Sequence, residues 1–169
     1  MLLRTAFATA LISTLALTSA SAETAKAAFK NAEGASVGSA DLVQVNDGVL
    51  IKLTLKGLPP GGHAFHVHAV GKCEAPFTTA GGHFNPANKK HGMMAKDGHH
   101  AGDMPNLVVP ESGDLTVEVV NTAITLEKNK PNSLYQPNGT AFIVHAAPDD
   151  YKTDPTGNAG GRIACGVVE

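Results

Sequence analysis

Residues 48–70 read GVLIKLTLKGLPPGGHAFHVHAV, two short apolar runs joined by a turn. Apolar and polar residues alternate through parts of both runs, 48–56 and 63–70, which is typical of half-buried β-strands. The Pro and Gly residues between the runs are strong turn formers. Similar runs predict strands at 115–119, 140–145 and 162–168, and no long segment has a convincing helical stripe of apolar residues. Many short strands with Gly/Pro turns predict an antiparallel β-sandwich or barrel.

The composition limits the class of protein. A chain of 169 residues with 43% hydrophobic content has room for one domain with a substantial core. Thirteen Lys and Arg against 15 Asp and Glu give a formal net charge of −2, so nucleic acid is not expected as a partner. Two cysteines are too few for a small disulfide-framework protein.

The N-terminal segment has the features of a signal peptide. After Arg4 no charge occurs up to Ala22, and the segment ends in Ala20-Ser21-Ala22, a small-x-small cleavage pattern. A membrane anchor is the alternative, but the stretch is short and diluted by Ser and Thr. We therefore predict a signal peptide over 1–22, cleavage before Glu23 and one mature domain over 23–169. That domain has no further membrane span, and its expected location is periplasmic or secreted.

The eight histidines are unevenly placed: seven lie between residues 63 and 100, and the eighth is His145. Strand alternation puts His66 and His68 on one face and Phe65 and Val67 on the other. Taken alone, a His-x-His motif on a strand is more simply interpreted as a solvated pair of histidines. However, the following segment adds further candidate ligands at spacings of 8, 9 and 3 residues, namely His83, His91, His100 and Asp103.

These residue types favour a metal site. Three His and one Asp suit a closed tetrahedral zinc site, whereas an all-imidazole set suits Cu(II). Two long segments without strand character, 71–107 and 146–161, are expected to be functional loops. His63 is predicted to be structural and His99 exposed. Three methionines admit either Cu(I) binding through thioethers or simple packing. They are Met93, Met94 and Met104.

Five separated motifs, in this order, resemble copper-zinc superoxide dismutase in an exported bacterial-type form. They are GHAFHVH (62–68), GHFNP (82–86), KHG (90–92), HAGD (100–103) and GNAGGRIACGV (157–167). The resemblance covers nearly all of the mature chain. It implies a Greek-key, eight-stranded antiparallel β-barrel or sandwich, immunoglobulin-like, with two long functional loops. The implied activity is dismutation of superoxide to O2 and H2O2, with one copper and one zinc per subunit.

The resemblance also implies a role for individual residues. The copper ligands would be His66, His68, His83 and His145. The zinc ligands would be His83, His91, His100 and Asp103. His83 would bridge the two metals, and Asp149 would hydrogen-bond to ligands of both. Arg162 would attract and orient the superoxide anion. A disulfide is implied between Cys73 and Cys165.

The chain also departs from the family pattern. The segment 146–161 is short, and Pro155 precedes Thr156 where eukaryotic members have a lysine, so Lys152 is a candidate replacement cation. The chain ends soon after Cys165, which leaves a homodimer possible but not implied. A noncatalytic copper or zinc carrier with the same fold is the alternative function. The presence of His145, His83 and Arg162 favours the enzyme.

Overall fold

The structure, a computed structural model, describes residues 22–169. The predicted signal peptide, residues 1–22, lies outside this part of the chain apart from Ala22. No helix in residues 22–169 is long and apolar enough to cross a membrane.

The described residues form nine β-strands and one short 3-10 turn at Thr78–Ala80, which confirms the all-β prediction. The strands are β1 (Thr24–Asn31), β2 (Ser36–Val45), β3 (Gly48–Leu55), β4 (Gly61–His63), β5 (Phe65–His68), β6 (Leu107–Val109), β7 (Leu115–Asn121), β8 (Ala141–His145) and β9 (Arg162–Val168). Neither predicted loop contains a strand apart from Leu107, the first residue of β6.

The strands form one curled antiparallel sheet with the order β5-β8-β9-β1-β2-β3-β7, and a small second sheet in which β4 pairs with β6. Because β9 lies between β1 and β8, neighbours in space are not always neighbours in sequence, as in a Greek key. The single strand predicted over 63–70 is wrong in its bounds. It divides at Ala64, where the chain passes from the small sheet to the large one, and it ends at His68.

Ala64 nevertheless links β4 and β5 into one bent strand. Its N–H donates to the Ala147 carbonyl, and its own carbonyl accepts from the His145 N–H, both at 2.9 Å. Counting β4 and β5 together gives the eight strands expected for the barrel. Strands β1, β2 and β6 were not predicted. In β1 the alternation depends largely on alanines, whose small apolar side chains give a weak signal.

The core lies on the concave side of the large sheet. Phe29, Phe65 and Phe142 are fully buried there, with ring centroids 5.3 to 6.4 Å apart. Val67 belongs to the same buried cluster as Phe65. Since side chains alternate along a strand, this core fixes the histidines of β5 on the opposite face, as predicted.

A disulfide between Cys73 and Cys165 fastens the first long loop to β9. It lies in a separate buried cluster with Phe77, Ala80 and Ile143. The loop is therefore anchored on the outer side of β8 and β9. This brings its later residues over the histidine face of β5.

Candidate metal centre

The two β5 histidines are buried although they point away from the core. His66 and His68 are 0% and 1% exposed. The loops cover them through backbone pairing: bridges join His66 to Asp103 and His68 to His83. The loop chain can approach because Gly102 has no side chain, and a Cβ there would lie 2.3 Å from the Val67 carbonyl oxygen. Hence Gly102 brings two candidate ligands next to β5.

Four atoms converge on the loop side of this face. Oδ1 of Asp103 lies 2.9 Å from His83 Nδ1, 3.1 Å from His91 Nδ1 and 3.3 Å from His100 Nδ1. His83 Nδ1 and His100 Nδ1 are 3.3 Å apart. Four ligands placed about 2.0 Å from a central ion form a tetrahedron with edges of about 3.3 Å. We call this set, His83, His91, His100 and Asp103, the mixed group.

A second set consists of four imidazoles, which we call the imidazole group: His66, His68, His83 and His145. Its members are buried, and their candidate ligand atoms lie within 4.8 Å of one another. His68 Nε2 and His145 Nε2 face each other at 3.4 Å. Nδ1 of His66 and Nε2 of His83 are buried and make no hydrogen bond within residues 22–169. Buried nitrogens without partners are costly unless a cation is present.

Hydrogen bonds on the far side of each ring aim the free nitrogens inward. His68 donates from Nδ1 to the Gly81 carbonyl at 2.9 Å, which leaves the Nε2 lone pair for the imidazole group. His66 donates from Nε2 to Asp149 Oδ2 at 2.8 Å, which leaves its Nδ1 free. His145 has a longer contact of 3.5 Å from Nδ1 to the Gly160 carbonyl. Second partners of this kind fix the tautomer and orientation of metal-binding histidines.

His83 belongs to both groups. Its Nδ1 faces Asp103 and His100, and its Nε2 faces the imidazole group. One ring therefore presents its two nitrogens to two separate sets of ligands.

Asp149 also connects the two groups. Its Oδ2 accepts from His66, and its Oδ1 accepts from His91 Nε2 at 3.0 Å. Asn106 holds Asp149 through a reciprocal pair: Asn106 Nδ2 donates to the Asp149 carbonyl, and the Asp149 N–H donates to Asn106 Oδ1. Gly157 leaves room for the carboxylate, since a Cβ at this residue would lie 2.0 Å from Asp149 Oδ1. The roles of Asn106 and Gly157 were not predicted.

The pKa values of the candidate ligands shift in different directions. Burial lowers the pKa of His83 to about 4 and that of His145 to about 3, and it holds the pKa of His68 well below its usual range. These rings are therefore neutral at pH 7, the form that binds metals. Burial acts in the same direction on His91, but Asp103 and Asp149 outweigh it and raise its pKa to about 9.

Asp103 and Asp149 are ionised in this setting. Burial alone would raise the pKa of each carboxyl group. The adjoining imidazoles outweigh burial: they hold the pKa of Asp103 far below its usual range and lower that of Asp149.

A cavity of about 340 Å³ leads to the imidazole group. It is lined by His68, His83, His145, Thr156 and Arg162, among others. The Arg162 guanidinium is half-buried and donates to the carbonyls of Phe77 and Gly81 at 2.5 and 2.6 Å. The cavity therefore has a fixed positive charge beside its imidazoles. Lys152, the suggested replacement cation, does not line it, whereas Pro155 and Thr156 do.

Two histidines lie outside both groups. His63 is buried, and its ring nitrogens contact the carbonyls of His145 and Pro59 at 2.7 and 2.8 Å, in line with the predicted structural role. The prediction that His99 is exposed is wrong. It is half-buried, because Nδ1 donates to the His100 carbonyl and the loop folds back on itself.

The residues present fit copper and zinc. The mixed group has the nitrogen and oxygen donors and the spacing of a tetrahedral zinc site. The imidazole group offers four imidazole nitrogens, a donor set that suits copper. Its lone pairs point at one another, so a bound cation would remove the mutual repulsion.

Comparisons with known proteins agree with this chemistry. The model of the copper/zinc superoxide dismutase family matches residues 36–168. Superoxide dismutase (Cu-Zn) 2 of Aquifex aeolicus is 53% identical over 146 residues, which cover 85% of this chain and 85% of that protein. Superoxide dismutase (Cu-Zn) of Caulobacter vibrioides is 40% identical over 149 residues, or 86% of this chain and 85% of that protein.

Among solved structures, the Cu/Zn superoxide dismutase from Brucella abortus superposes with a TM-score of 0.72 at 28% identity. The match covers 87% of this chain and all of that one. A superoxide dismutase-like protein from Bacillus subtilis gives a TM-score of 0.81 at 38% identity over 84% of this chain and 96% of that chain. The sequence, the barrel and the two ligand groups thus agree, and this chain belongs to the copper/zinc superoxide dismutase family.

Proposed function

We propose that the imidazole group, His66, His68, His83 and His145, holds the copper of this dismutase, and that the mixed group, His83, His91, His100 and Asp103, holds its zinc. The observation that carries the proposal is the position of His83, whose two nitrogens face the two groups. A ring shared in this way can join two metals only after it loses its proton. The mixed group contains the carboxylate and the tetrahedral spacing, which favours zinc there.

The substrate is superoxide, and two superoxide anions with two protons give O2 and H2O2. Bound copper supplies the one-electron oxidation and reduction in this reaction. Arg162 attracts the anion into the cavity and orients it, because its guanidinium stays charged and two backbone carbonyls hold it in place. Arg162 is the only Lys or Arg among the residues that line the cavity, so it adds the protein's own positive charge to that of the bound metals.

His83 also has a role in proton transfer. Nε2 can hold a proton while Nδ1 remains in the mixed group, fixed by Asp103. The cavity reaches His83, so that proton lies beside the bound anion. His83 can therefore deliver a proton to the leaving peroxide. Asp149 keeps His66 and His91 in their tautomers throughout.

Metal analysis and anomalous scattering at the two absorption edges test the assignment. We expect one copper at the imidazole group and one zinc at the mixed group. His145→Ala should lose copper and activity but keep zinc, since His145 belongs to the imidazole group alone. His100→Ala should lose zinc but keep copper, since His100 belongs to the mixed group alone. Loss of zinc rather than copper in His145→Ala would overturn the assignment.

We further propose that the protein is exported and acts outside the cytoplasm. The Cys73–Cys165 disulfide supports an oxidising compartment, and the small-x-small pattern before Glu23 supports cleavage of a signal peptide. The intact mass of protein purified from the periplasm or medium should correspond to a chain that begins at Glu23. A mass that retains residues 1–22 would contradict this proposal.

A further inference from the structure

A small cavity lies beside Asp103 of the mixed group and shares no lining residue with the cavity that leads to the imidazole group. Its volume is about 90 Å³. Three of its lining residues carry metal-binding side chains that neither ligand group uses: Met93, His99 and Met104. The Asp103 carboxylate also lines it. Two thioethers, one imidazole and a nearby negative charge thus surround one space.

The exposure and hydrogen bonds of the lining side chains show which of them can bind a ligand. Met93 is 41% exposed and Met104 only 1%, so the lining of the cavity includes one exposed and one buried methionine. His99 uses Nδ1 to donate to the His100 carbonyl, and this bond leaves the Nε2 lone pair free for a metal. Asp103 already accepts from the N–H groups of Gly92 and His100 through Oδ2, so it contributes charge rather than a free ligand oxygen.

The chemistry of this set selects one kind of ion. Thioethers are soft, weak ligands that favour Cu(I) over zinc, magnesium or calcium, and imidazole completes a three-coordinate arrangement. Simple packing accounts for Met104, but it does not account for an exposed Met93 at the mouth of the same cavity. We propose that Met93, His99 and Met104 form a third metal site, which binds a soft monovalent cation, Cu(I), separately from the copper and zinc centre.

The chain offers a matched control. Met94 adjoins Met93, is 65% exposed and does not line the cavity. If exposed thioethers bound the ion nonspecifically, both methionines would contribute. Only Met93 should matter if the cavity is the site.

The test uses the mature enzyme with Cu(II) and zinc bound, which Ag⁺ cannot oxidise, and Ag⁺ as the probe for Cu(I). We expect one further equivalent of Ag⁺ to bind while copper and zinc contents stay unchanged. For NMR, zinc replaces copper so that the protein is diamagnetic; with ¹³C at the methionine methyl groups, the Met93 and Met104 signals should shift on addition of Ag⁺, and the Met94 signal should not. Met93→Leu should weaken Ag⁺ binding by about tenfold or more, and Met94→Leu by less than about twofold.

Both substitutions lie outside the catalytic machinery, so equal dismutase activity in the two variants will show that each is folded. The proposal is overturned if no further equivalent binds or if Ag⁺ displaces copper from the centre. It is also overturned if Met93→Leu and Met94→Leu weaken Ag⁺ binding equally. None of these results bears on the copper and zinc assignment, which depends on other residues.

Discussion

His68 and Arg162 donate to the same acceptor, the carbonyl oxygen of Gly81, at 2.9 and 2.6 Å. One backbone atom thus sets the orientation of a proposed copper ligand and the position of the cation that faces the substrate. Gly81 adopts a φ of +75°, a conformation that glycine allows at little cost. The fixed geometry of this carbonyl explains how the site combines a metal ligand and a positive charge beside one cavity.

Arg162→Glu should slow turnover far more than it weakens copper binding. Reversing the only arginine charge in the cavity removes electrostatic attraction for an anion, and such attraction changes association rates by roughly 10- to 1,000-fold. We expect kcat/KM, measured by pulse radiolysis at low ionic strength, to fall within that range. Arg162→Lys keeps the charge but cannot reproduce both carbonyl contacts, so it should give an intermediate rate. A parallel loss of copper affinity and rate in Arg162→Glu would contradict a steering role.

Asp149→Asn should weaken the binding of both metals. The amide keeps the size of the side chain but cannot accept hydrogen bonds from both His66 and His91, which the carboxylate does now. Loss of such a partner lowers metal affinity by roughly 10- to 100-fold. Chelator competition will measure the two affinities separately. The control is Asp41→Asn, at an exposed carboxylate on β2 that pairs with Lys26. A change confined to one metal would show that Asp149 does not couple the two groups.

Six of the seven residues of the two ligand groups were predictable because they lie in short motifs whose order matches a known family. His145 lies outside those motifs and was assigned from the resemblance of the chain as a whole. Alternation in β5 further placed His66 and His68 on the face opposite Phe65 and Val67. Both inferences depend on residue type and local spacing. For the same reason the long loops could be located from their lack of strand pattern.

The contacts that hold the ligands in place were not predictable, because they join residues distant in sequence. Asn106 supports Asp149 across 43 residues, and nothing in the local sequence of either residue indicates the other. The half-buried position of His99 likewise depends on how the loop packs. Strand β6 has only three residues and pairs with the equally short β4. It is therefore too short to show the alternation of apolar and polar residues by which a strand is predicted.

Gly157→Ala should damage the centre through Asp149. The new Cβ would lie 2.0 Å from Asp149 Oδ1 and 2.6 Å from His91 Nε2, so the carboxylate must move. We expect zinc affinity to fall by roughly 10-fold or more. Gly57→Ala is the matched control, since Gly57 has the same φ of +65° with nothing within 4 Å of a Cβ. Both variants carry the same backbone strain, and equal zinc affinities in the two would show that the predicted displacement of Asp149 does not occur.

Zinc binding to the metal-free protein should depend on pH through His91. Its pKa is raised to about 9 without metal, so it is protonated at pH 7 and must lose that proton to bind zinc through Nδ1. His83, with a pKa lowered to about 4, is already neutral. We therefore expect apparent zinc affinity to rise by about tenfold per pH unit from pH 7 and to level off near about pH 9. Calorimetry in buffers of different ionisation enthalpy should detect about one proton released per zinc at pH 7. An affinity that is constant from pH 7 to pH 9 would show that His91 does not carry the proton.

Removal of the disulfide should affect both stability and catalysis. The Cys73–Cys165 bond closes a span of 92 residues, for which loop-closure entropy predicts about 4–5 kcal/mol of stabilisation. The same loop supplies the carbonyls of Phe77 and Gly81 that hold Arg162. Cys73→Ser with Cys165→Ser should therefore lower the free energy of unfolding and also reduce kcat/KM at temperatures where the protein stays folded. Denaturant titration and pulse radiolysis will measure the two effects. If the rate is unchanged while stability falls, the loop keeps Arg162 in place without the disulfide, through the packing of Phe77 and Ala80 against β8 and β9.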